Sequence, residues 1–330
     1  MMHCELVVPA LFAASSGERF PALELLLGRG REMHEESCGM ENWLAGRFGL
    51  EGDVPAGALS ALARGIAPGD ALWARADPVH LHLARDRLIL APHGAFQVAP
   101  AEAEALCDAL NRHFAGSLEL HPALPHAWCA KLDGPLGLAA PSPLEMAGRD
   151  VELVVPRGKA AGRAQRLLNE AQMVLHAHPA NEAREARGEP ALNSLWLWGE
   201  GALPAGASSP WHAVLCDDPV LAGLARSAGA RPRALPRSGA QWLESAPEEG
   251  RALILLDGLR LPLALAQEAE YGACLEDLER DWFAPLLAAL RAGRVGMVSV
   301  HVPEAGASFE TIRADLRRFW RRAKGLEAYA

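Results

Sequence analysis

Arg184 and Arg187 stand three residues apart in HPANEAREARGEPALNSLWLWGEG (178–201), a spacing that puts both guanidinium groups on one helical face. Forked guanidinium groups suit phosphate or carboxylate recognition, because each presents paired N–H donors to two oxygens. His178 and Asn181 precede the arginines, and Asn193 and Ser194 follow them, so neutral polar groups flank the cations. The same spacing suits a capped helical hairpin whose arginines pair with Glu182, Glu185 and Glu189. Spacing alone favours that structural use.

Other residue pairs suggest other chemistry. His80 and His82 are two apart in a strand-like stretch, so they share a face and could jointly bind zinc. No Cys pair or HExxH run marks the remaining ligands, and the same holds for His176 and His178. Ser15, Ser16 and Ser194 are hydroxyl nucleophile candidates, but none lies in GxSxG or beside an evident base. Neither GxGxxG nor GxxxxGK[ST] occurs, which removes the usual nucleotide cradles. The six cysteines (Cys4, Cys38, Cys107, Cys129, Cys216, Cys274) are scattered without CxxC and read as reduced, mostly buried thiols.

These residues need a scaffold, and the periodicity supplies one. Strands are expected at Leu6–Leu11 and over ALWARADPVHLHLA (71–84) and RDRLILAP (85–92), with a turn near Arg85–Asp86. Helices are expected over Phe20–Leu27, Met40–Phe48 and Pro100–Phe114, with a boundary in the Gly/Pro-rich interval Gly49–Gly57. Strands SLELHP and HAWCAKL precede a loop over Gly134–Pro143 and a helix over Gly162–His176. Asn181 is expected to cap a second helix, stopped by Gly188. After strand SLWLWG the chain alternates: WHAVLCD, DPVLAGLARSAG, a short strand at Arg233–Leu235, RALILLD, LEDLERDWFAPLLAALRAG and GMVSVHV. Such alternation indicates a mostly parallel sheet covered on both faces.

A chain of 330 residues has room for one large α/β unit or two modest domains. The formal charge of −9 argues against a general nucleic-acid or acidic-membrane binder. One local exception is the cluster Arg313, Arg317, Arg318, Arg321, Arg322 and Lys324, which reads as the solvated face of a helix. No apolar run approaches the roughly 20 residues that span a bilayer. The N-terminal stretch reads as a first strand, not a signal peptide, and a cytoplasmic location is expected.

HPANEAREARGEPALNSLWLWGEG resembles the segment of archaeal-type, cofactor-independent phosphoglycerate mutases that reads roughly HPxNxxRxxxGxPxANxxxxRGxG. His178, Pro179, Asn181, Arg184, Gly188, Pro190, Asn193, Gly199 and Gly201 stand at matching positions, while Trp198 replaces the arginine of the closing RGxG. GDALWARADPVHLHLARDRLILAP and PAEAEALCDAL look like that family's substrate-domain strands and helix. AVLCDDPVLAGLARSAGARPRALP is similar to its returning strand-helix-strand. The resemblance covers about residues 65 to 260. It is closest to proteobacterial phosphoglycerate-mutase-like proteins often labelled regulatory, which share the NSLWLWG form.

The resemblance implies an α/β fold. Residues 1–65 and 190–330 would form an alkaline-phosphatase-like core with a mostly parallel sheet, and 66–189 a smaller inserted α+β domain. Active members of the family use two metal ions held by Asp and His and a serine that carries the phosphoryl group. Their DG pair after the first strand is replaced here by VVPALFAASSGE. Their D-E-x-G-H-x-x-D run is replaced by RALILLDG and a following stretch without histidine. The leading expectation is therefore a catalytically degenerate, regulatory protein with no catalytic residue, no metal and no cofactor. It would bind a small phosphorylated or carboxylated metabolite, or a protein partner, but neither nucleic acid nor membrane. His178, Asn181, Arg184 and Asn193, with Arg75 and Arg85, would bind the metabolite. Two alternatives stay open: an active phosphomutase or phosphatase with displaced ligands at Asp217, Asp218, Asp257 and His301, or an interaction protein using Trp196, Trp198, Trp282 and Trp320.

Overall fold

A computed structural model describes residues 1–13, 18–84, 87–149, 151 and 161–329. Ser15, Ser16 and Arg85, with the expected turn beside Asp86, lie outside the described residues. The chain runs β1 (Met2–Val7), α1 (Pro21–Arg29), β2 (Arg31–His34), α2 (Met40–Arg47), α3 (Ala56–Arg64), β3 (Leu72–Ala84), β4 (Arg87–Ala91) and α4 (Pro100–His113). There follow β5 (Leu118–Leu124), β6 (Ala127–Leu132), α5 (Pro143–Met146), α6 (Ala161–His176), α7 (Pro179–Ala186), β7 (Ser194–Gly201), β8 (Ala213–Leu215) and α8 (Pro219–Ser227). The last elements are β9 (Pro232–Arg233), α9 (Gly239–Ser245), β10 (Gly250–Leu255), α10 (Arg260–Ala264), α11 (Glu268–Leu278), α12 (Ala284–Ala292), β11 (Val295–Val302) and β12 (Ala307–Ile312).

Two compact units result. The first joins 1–49, 208–218 and 228–330, and the second joins 50–207 and 219–227. The sequence puts the insert's limits at 66 and 189, whereas α3, β7 and α8 pack with the second unit as well.

The first unit is built on a seven-stranded sheet in the order β2-β12-β11-β1-β10-β8-β9. β11, β1, β10, β8 and β9 are parallel, and β12 and β2 add antiparallel strands at one edge. β1 and β10 are apolar runs because both faces of a central parallel strand are covered. The expected first strand at Leu6–Leu11 begins four residues earlier and ends at Val7, where Pro9 and a left-handed Ala10 (φ 63°) turn the chain. The long expected helix appears as α11 and α12 joined by a five-residue π turn, Glu279–Phe283. Pro285 lacks the N–H that would continue the regular ladder. That turn also aims Glu279 at α1, where its carboxylate accepts the N–H groups of Ala22 (2.6 Å) and Leu23 (3.0 Å). α1 has no side-chain cap of its own, so Glu279 satisfies its free donors from across the unit.

The second unit holds a five-stranded antiparallel sheet in which β4, β6 and β7 all pair with β3, and β5 pairs with β6. α4 and α6 cover it around Leu106, Leu110, Trp128 and Leu175. α3 approaches its neighbours unusually closely. A Cβ on Gly57 would overlap the Ala74 backbone, and one on Gly223 would overlap the Leu59 carbonyl.

The expected C-terminal helix does not form. Asp315–Arg317 is a single 3₁₀ turn, and the arginines after it lie on irregular chain. Asp315 accepts the Ile312 N–H (3.1 Å) and pairs with Arg318 (2.8 Å), which fixes a turn at this point. No helix among the described residues is long and apolar enough to cross a membrane.

Candidate functional site

The polar motif of the second unit is largely internal. α7 starts one turn earlier than expected: Pro179 is its first residue and His178 its cap, with Nδ1 accepting the Ala180 N–H at 3.1 Å. Asn181 is buried inside the helix. Its amide donates to the Leu175 (2.8 Å) and Leu192 (3.0 Å) carbonyls and accepts the Leu192 N–H (2.8 Å). Asn193 bridges to β3 in the same way, through the N–H and carbonyl of Leu81. Gly188, at φ 75°, ends the helix as the sequence indicates.

Arg184 is fully buried. Its guanidinium donates to the Pro190 (2.9 Å) and Gln97 (2.8 Å) carbonyls and to Glu102 (2.9 Å), and Nη2 has no hydrogen-bond partner among the described residues. Arg187 reaches the same Glu102 (2.7 Å) and Glu189 (2.9 Å) from the surface. Desolvation pushes the Glu102 carboxyl up, but the Ala99 N–H, Arg187 and Arg184 together hold it below its ordinary value. Of the three carboxylates expected to pair with the arginines only Glu189 does so. Glu102, remote in sequence, takes the central place.

Arg75 is also buried, and it faces Asp77 on the same side of β3. Asp77 Oδ1 accepts from Arg75 Nε (3.0 Å), Arg75 Nη2 (2.6 Å) and the Trp128 N–H (3.1 Å). Trp198 Nε1 donates to Oδ2 at 2.8 Å, and the Arg75 guanidinium lies 5.2 Å from the Trp198 ring. Trp198, standing where the resembling family has arginine, thus completes the shell of a buried carboxylate. Asp77 was not among the sequence candidates, although an Arg-x-Asp pair inside an apolar strand marks it. His126, stacked on His93 at 4.2 Å, is held below its ordinary pKa by burial and by Arg75, against the opposing pull of Asp77. His80 and His82 do share a face, with rings 5.8 Å apart, and His80 Nδ1 lies 2.8 Å from the Ala191 carbonyl.

The first unit gathers acidic groups at the C-terminal edge of its parallel strands, where open α/β sheets place ligands. Asp217 and Asp218 follow β8, Asp257 follows β10 and Glu304 follows β11, while α2 contributes Glu41. Among them lies Arg260, only 10% exposed at its side chain. It pairs with the equally buried Glu41 at 3.0 Å, and its Nη1 lies 3.5 Å from Met40 Sδ. Burial alone would lower the guanidinium pKa, but Glu41, Asp218 and Asp257 hold it above its ordinary value. Burial raises the Asp257 carboxyl, and Arg260 offsets part of that rise. The other acids have backbone tasks: Asp217 accepts the Leu235 N–H (3.1 Å) and Glu304 accepts the N–H of the left-handed Ala10 (3.2 Å).

The two-metal centre implied by the resemblance does not fit these residues. Among the described residues no three His, Cys, Asp or Glu side chains converge to hold a metal ion. His301 stands apart from the aspartates: Nδ1 lies 2.9 Å from Ser308 Oγ, the ring packs at 5.0 Å from Trp43, and Glu5 is 3.8 Å away. Burial pushes its pKa down to about 4, against the pull of Glu5. Cys216 beside Asp218 is no better placed as a nucleophile, since burial and the three aspartates push its thiol up.

No family model matches the chain. It is 29% identical over 156 residues to a protein of Geobacter sulfurreducens named a probable 2,3-bisphosphoglycerate-independent phosphoglycerate mutase, covering 46% of this chain and 38% of that one. It is 28% identical over 129 residues to the enzyme of that name from Methanosarcina mazei, covering 36% and 32%. The matched region thus spans only about a third of the length of these relatives. The PH0037 protein from Pyrococcus horikoshii shares the fold, with a TM-score of 0.58 at 16% identity over 94% of this chain and 87% of that chain. The parallel sheet with its separate antiparallel unit is thus a fold shared with that protein, and in sequence the chain resembles the cofactor-independent phosphoglycerate mutases.

Proposed function

We propose that this chain is a catalytically degenerate phosphoglycerate-mutase-like protein that acts by binding and has given up phosphoryl transfer. One observation carries the reading. The acidic edge of the parallel sheet is knitted together by the guanidinium of Arg260, and its carboxylates serve Arg260, Ala10 and Leu235 instead of converging on one point. Two-metal phosphoryl transfer needs cations clamped between attacking and leaving oxygens. A guanidinium buried against Glu41 offers no open coordination position.

The placement of the motif residues bears on the ligand. Arg184, Asn181, Asn193 and Arg75 are committed to backbone and carboxylate partners within the second unit, so recognition of a phosphorylated three-carbon acid would fall to the exposed Arg187 and to His178. A protein partner fits this arrangement better than a small anion, and a regulatory role follows from that. A second reading, an active enzyme with displaced ligands, is favoured by the excess of carboxylates over cations at the same edge.

Elemental analysis of protein purified from manganese- and zinc-supplemented cells separates the two, together with a coupled assay of 3-phosphoglycerate interconversion with and without EDTA. Substoichiometric metal and no EDTA-sensitive turnover are expected. A stoichiometric metal content with EDTA-sensitive turnover would replace the proposal with the second reading. Thermal shift against 3-phosphoglycerate then tests the choice of partner, since strong stabilisation would point to the metabolite.

A further inference from the structure

Phe319 is 80% exposed and Trp320 67% exposed, their rings edge-on at 5.2 Å. They sit at the centre of RRFWRR (317–322), where Arg317, Arg321 and Arg322 are exposed, with Arg313 and Lys324 exposed on either side. Residues 313–324 hold six basic side chains and one acidic one, in a chain whose formal charge is −9. Two large aromatics left in water at the middle of a cationic run are not explained by solubility.

The tip is fixed from both sides. Asp315 anchors the turn before it, Arg29 donates to the Leu316 carbonyl, and Arg321 Nη1 donates to the Gly30 carbonyl at 2.7 Å beyond the end of α1. Downstream, Leu326 is buried and Tyr329 stacks on Phe12 at 5.7 Å. Turn hydrogen bonds from Arg318 N–H to Asp315 and from Arg321 N–H to Arg318 hold the backbone between these anchors. The aromatic pair is therefore presented on ordered chain.

We propose that this tip docks on an anionic lipid surface. Aromatic side chains flanked by cations suit a bilayer interface, where the rings enter the boundary region and guanidinium groups pair with headgroup phosphates. Cations stand on both sides of the pair; Arg318 is drawn to Asp315 and Arg321 to the Gly30 carbonyl, so the exposed Arg313, Arg317, Arg322 and Lys324 are the ones offered to a planar anionic layer. A short acidic protein segment would reach only part of the set. The negative charge elsewhere on the chain does not oppose contact, because charges farther than about 8 Å from the surface are largely screened at physiological salt.

The test is co-sedimentation of the full chain with phosphatidylcholine vesicles, with and without about 30% phosphatidylglycerol, at about 0.15 M salt. Sedimentation with the anionic vesicles alone is expected, and about 1 M salt should abolish it. Each basic residue near such a surface contributes about fivefold, so joint replacement Arg317→Gln, Arg322→Gln and Lys324→Gln should weaken partitioning roughly 100-fold. The pair Phe319→Ser and Trp320→Ser should reduce it at least tenfold and leave the thermal melt unchanged, since both rings are exposed. Equal sedimentation with neutral and anionic vesicles, or wild-type partitioning by either variant, overturns the proposal. Absence of sedimentation with any vesicle also overturns it, and leaves an acidic protein segment as the occupant. None of these outcomes depends on the metal content of the first unit.

Discussion

Replacing Arg260 by alanine removes the cation from the acidic edge, and the structure sets the size of the response. Arg260 and Glu41 form a buried pair, with side chains 10% and 12% exposed. Deleting one member of such a pair leaves an uncompensated buried charge and costs about 3–5 kcal/mol. In a unit of this size that lowers the melting temperature by about 6–20 °C, readable by calorimetry. The loss should also depend on pH. Asp257 already has its carboxyl raised by burial, and Arg260 is the cation that restrains it. Without Arg260 its folded pKa rises further above the unfolded value. The added destabilisation is then full at pH above the folded pKa and disappears as pH falls below the unfolded one. The gap between wild type and Arg260→Ala should therefore narrow steadily from neutral pH toward pH 4. A millimolar divalent cation should stabilise the variant more than the wild type, since Glu41, Asp218 and Asp257 would lack their resident counter-charge. A pH-independent loss under about 1 kcal/mol, the range of exposed pairs, would refute the reasoning.

Arg184→Met should destabilise the second unit by about 3–5 kcal/mol in a denaturant titration, because Glu102 and two carbonyls lose a buried partner; a neutral result would return Arg184 to the ligand-binding candidates. Trp198→Phe keeps an aromatic but smaller side chain and removes the donor to Asp77 Oδ2, and should cost at least about 1.5–3 kcal/mol by the same measurement. His301 is depressed from 6.5 to about 4, so the stability it contributes is present above pH 6.5 and is lost as pH falls toward 4. About 3 kcal/mol is at stake, and the acid limb of the melting profile should flatten by that amount in His301→Gln. Gly223→Ala forces a methyl group into the Leu59 carbonyl and should cost at least about 1–3 kcal/mol, visible as a lower denaturation midpoint.

Much of the parallel unit was legible because its strands are short apolar runs between helical stretches: β8, β10 and β11 follow that pattern closely. β2 and β12 were not read. REMH (31–34) is polar and exposed, so nothing in its periodicity separates it from a loop, and its pairing to β12 is a tertiary fact. α3 was hidden for the opposite reason. AGALSALAR follows a Gly/Pro-rich stretch that looks like a boundary, yet the small residues on and around it are what let α3 lie against β3, β7 and α8. The C-terminal arginines looked helical by composition, and a single carboxylate, Asp315, turns the chain instead.

The site shows a sharper limit. Matching a motif identifies which residues occur, but the role of a guanidinium is set by the groups that surround it after folding. Arg184 matches a family position that the resemblance links to ligand binding, yet Gln97 and Glu102, more than eighty residues away, enclose it. Arg260 carried no signal at all, being an ordinary arginine three residues after Asp257 in LDGLR. Its N–H bonds the Asp257 carbonyl at 3.1 Å, so the turn that ends β10 positions its side chain near that carboxyl and across to Glu41. On the reading proposed above, loss of phosphoryl transfer does not require the acids to vanish. One arginine delivered by a tight turn supplies the edge with a permanent monovalent cation. Divalent ions must then displace a covalently tethered competitor already bonded to Glu41, and the carboxylates that remain are free to take up backbone N–H groups.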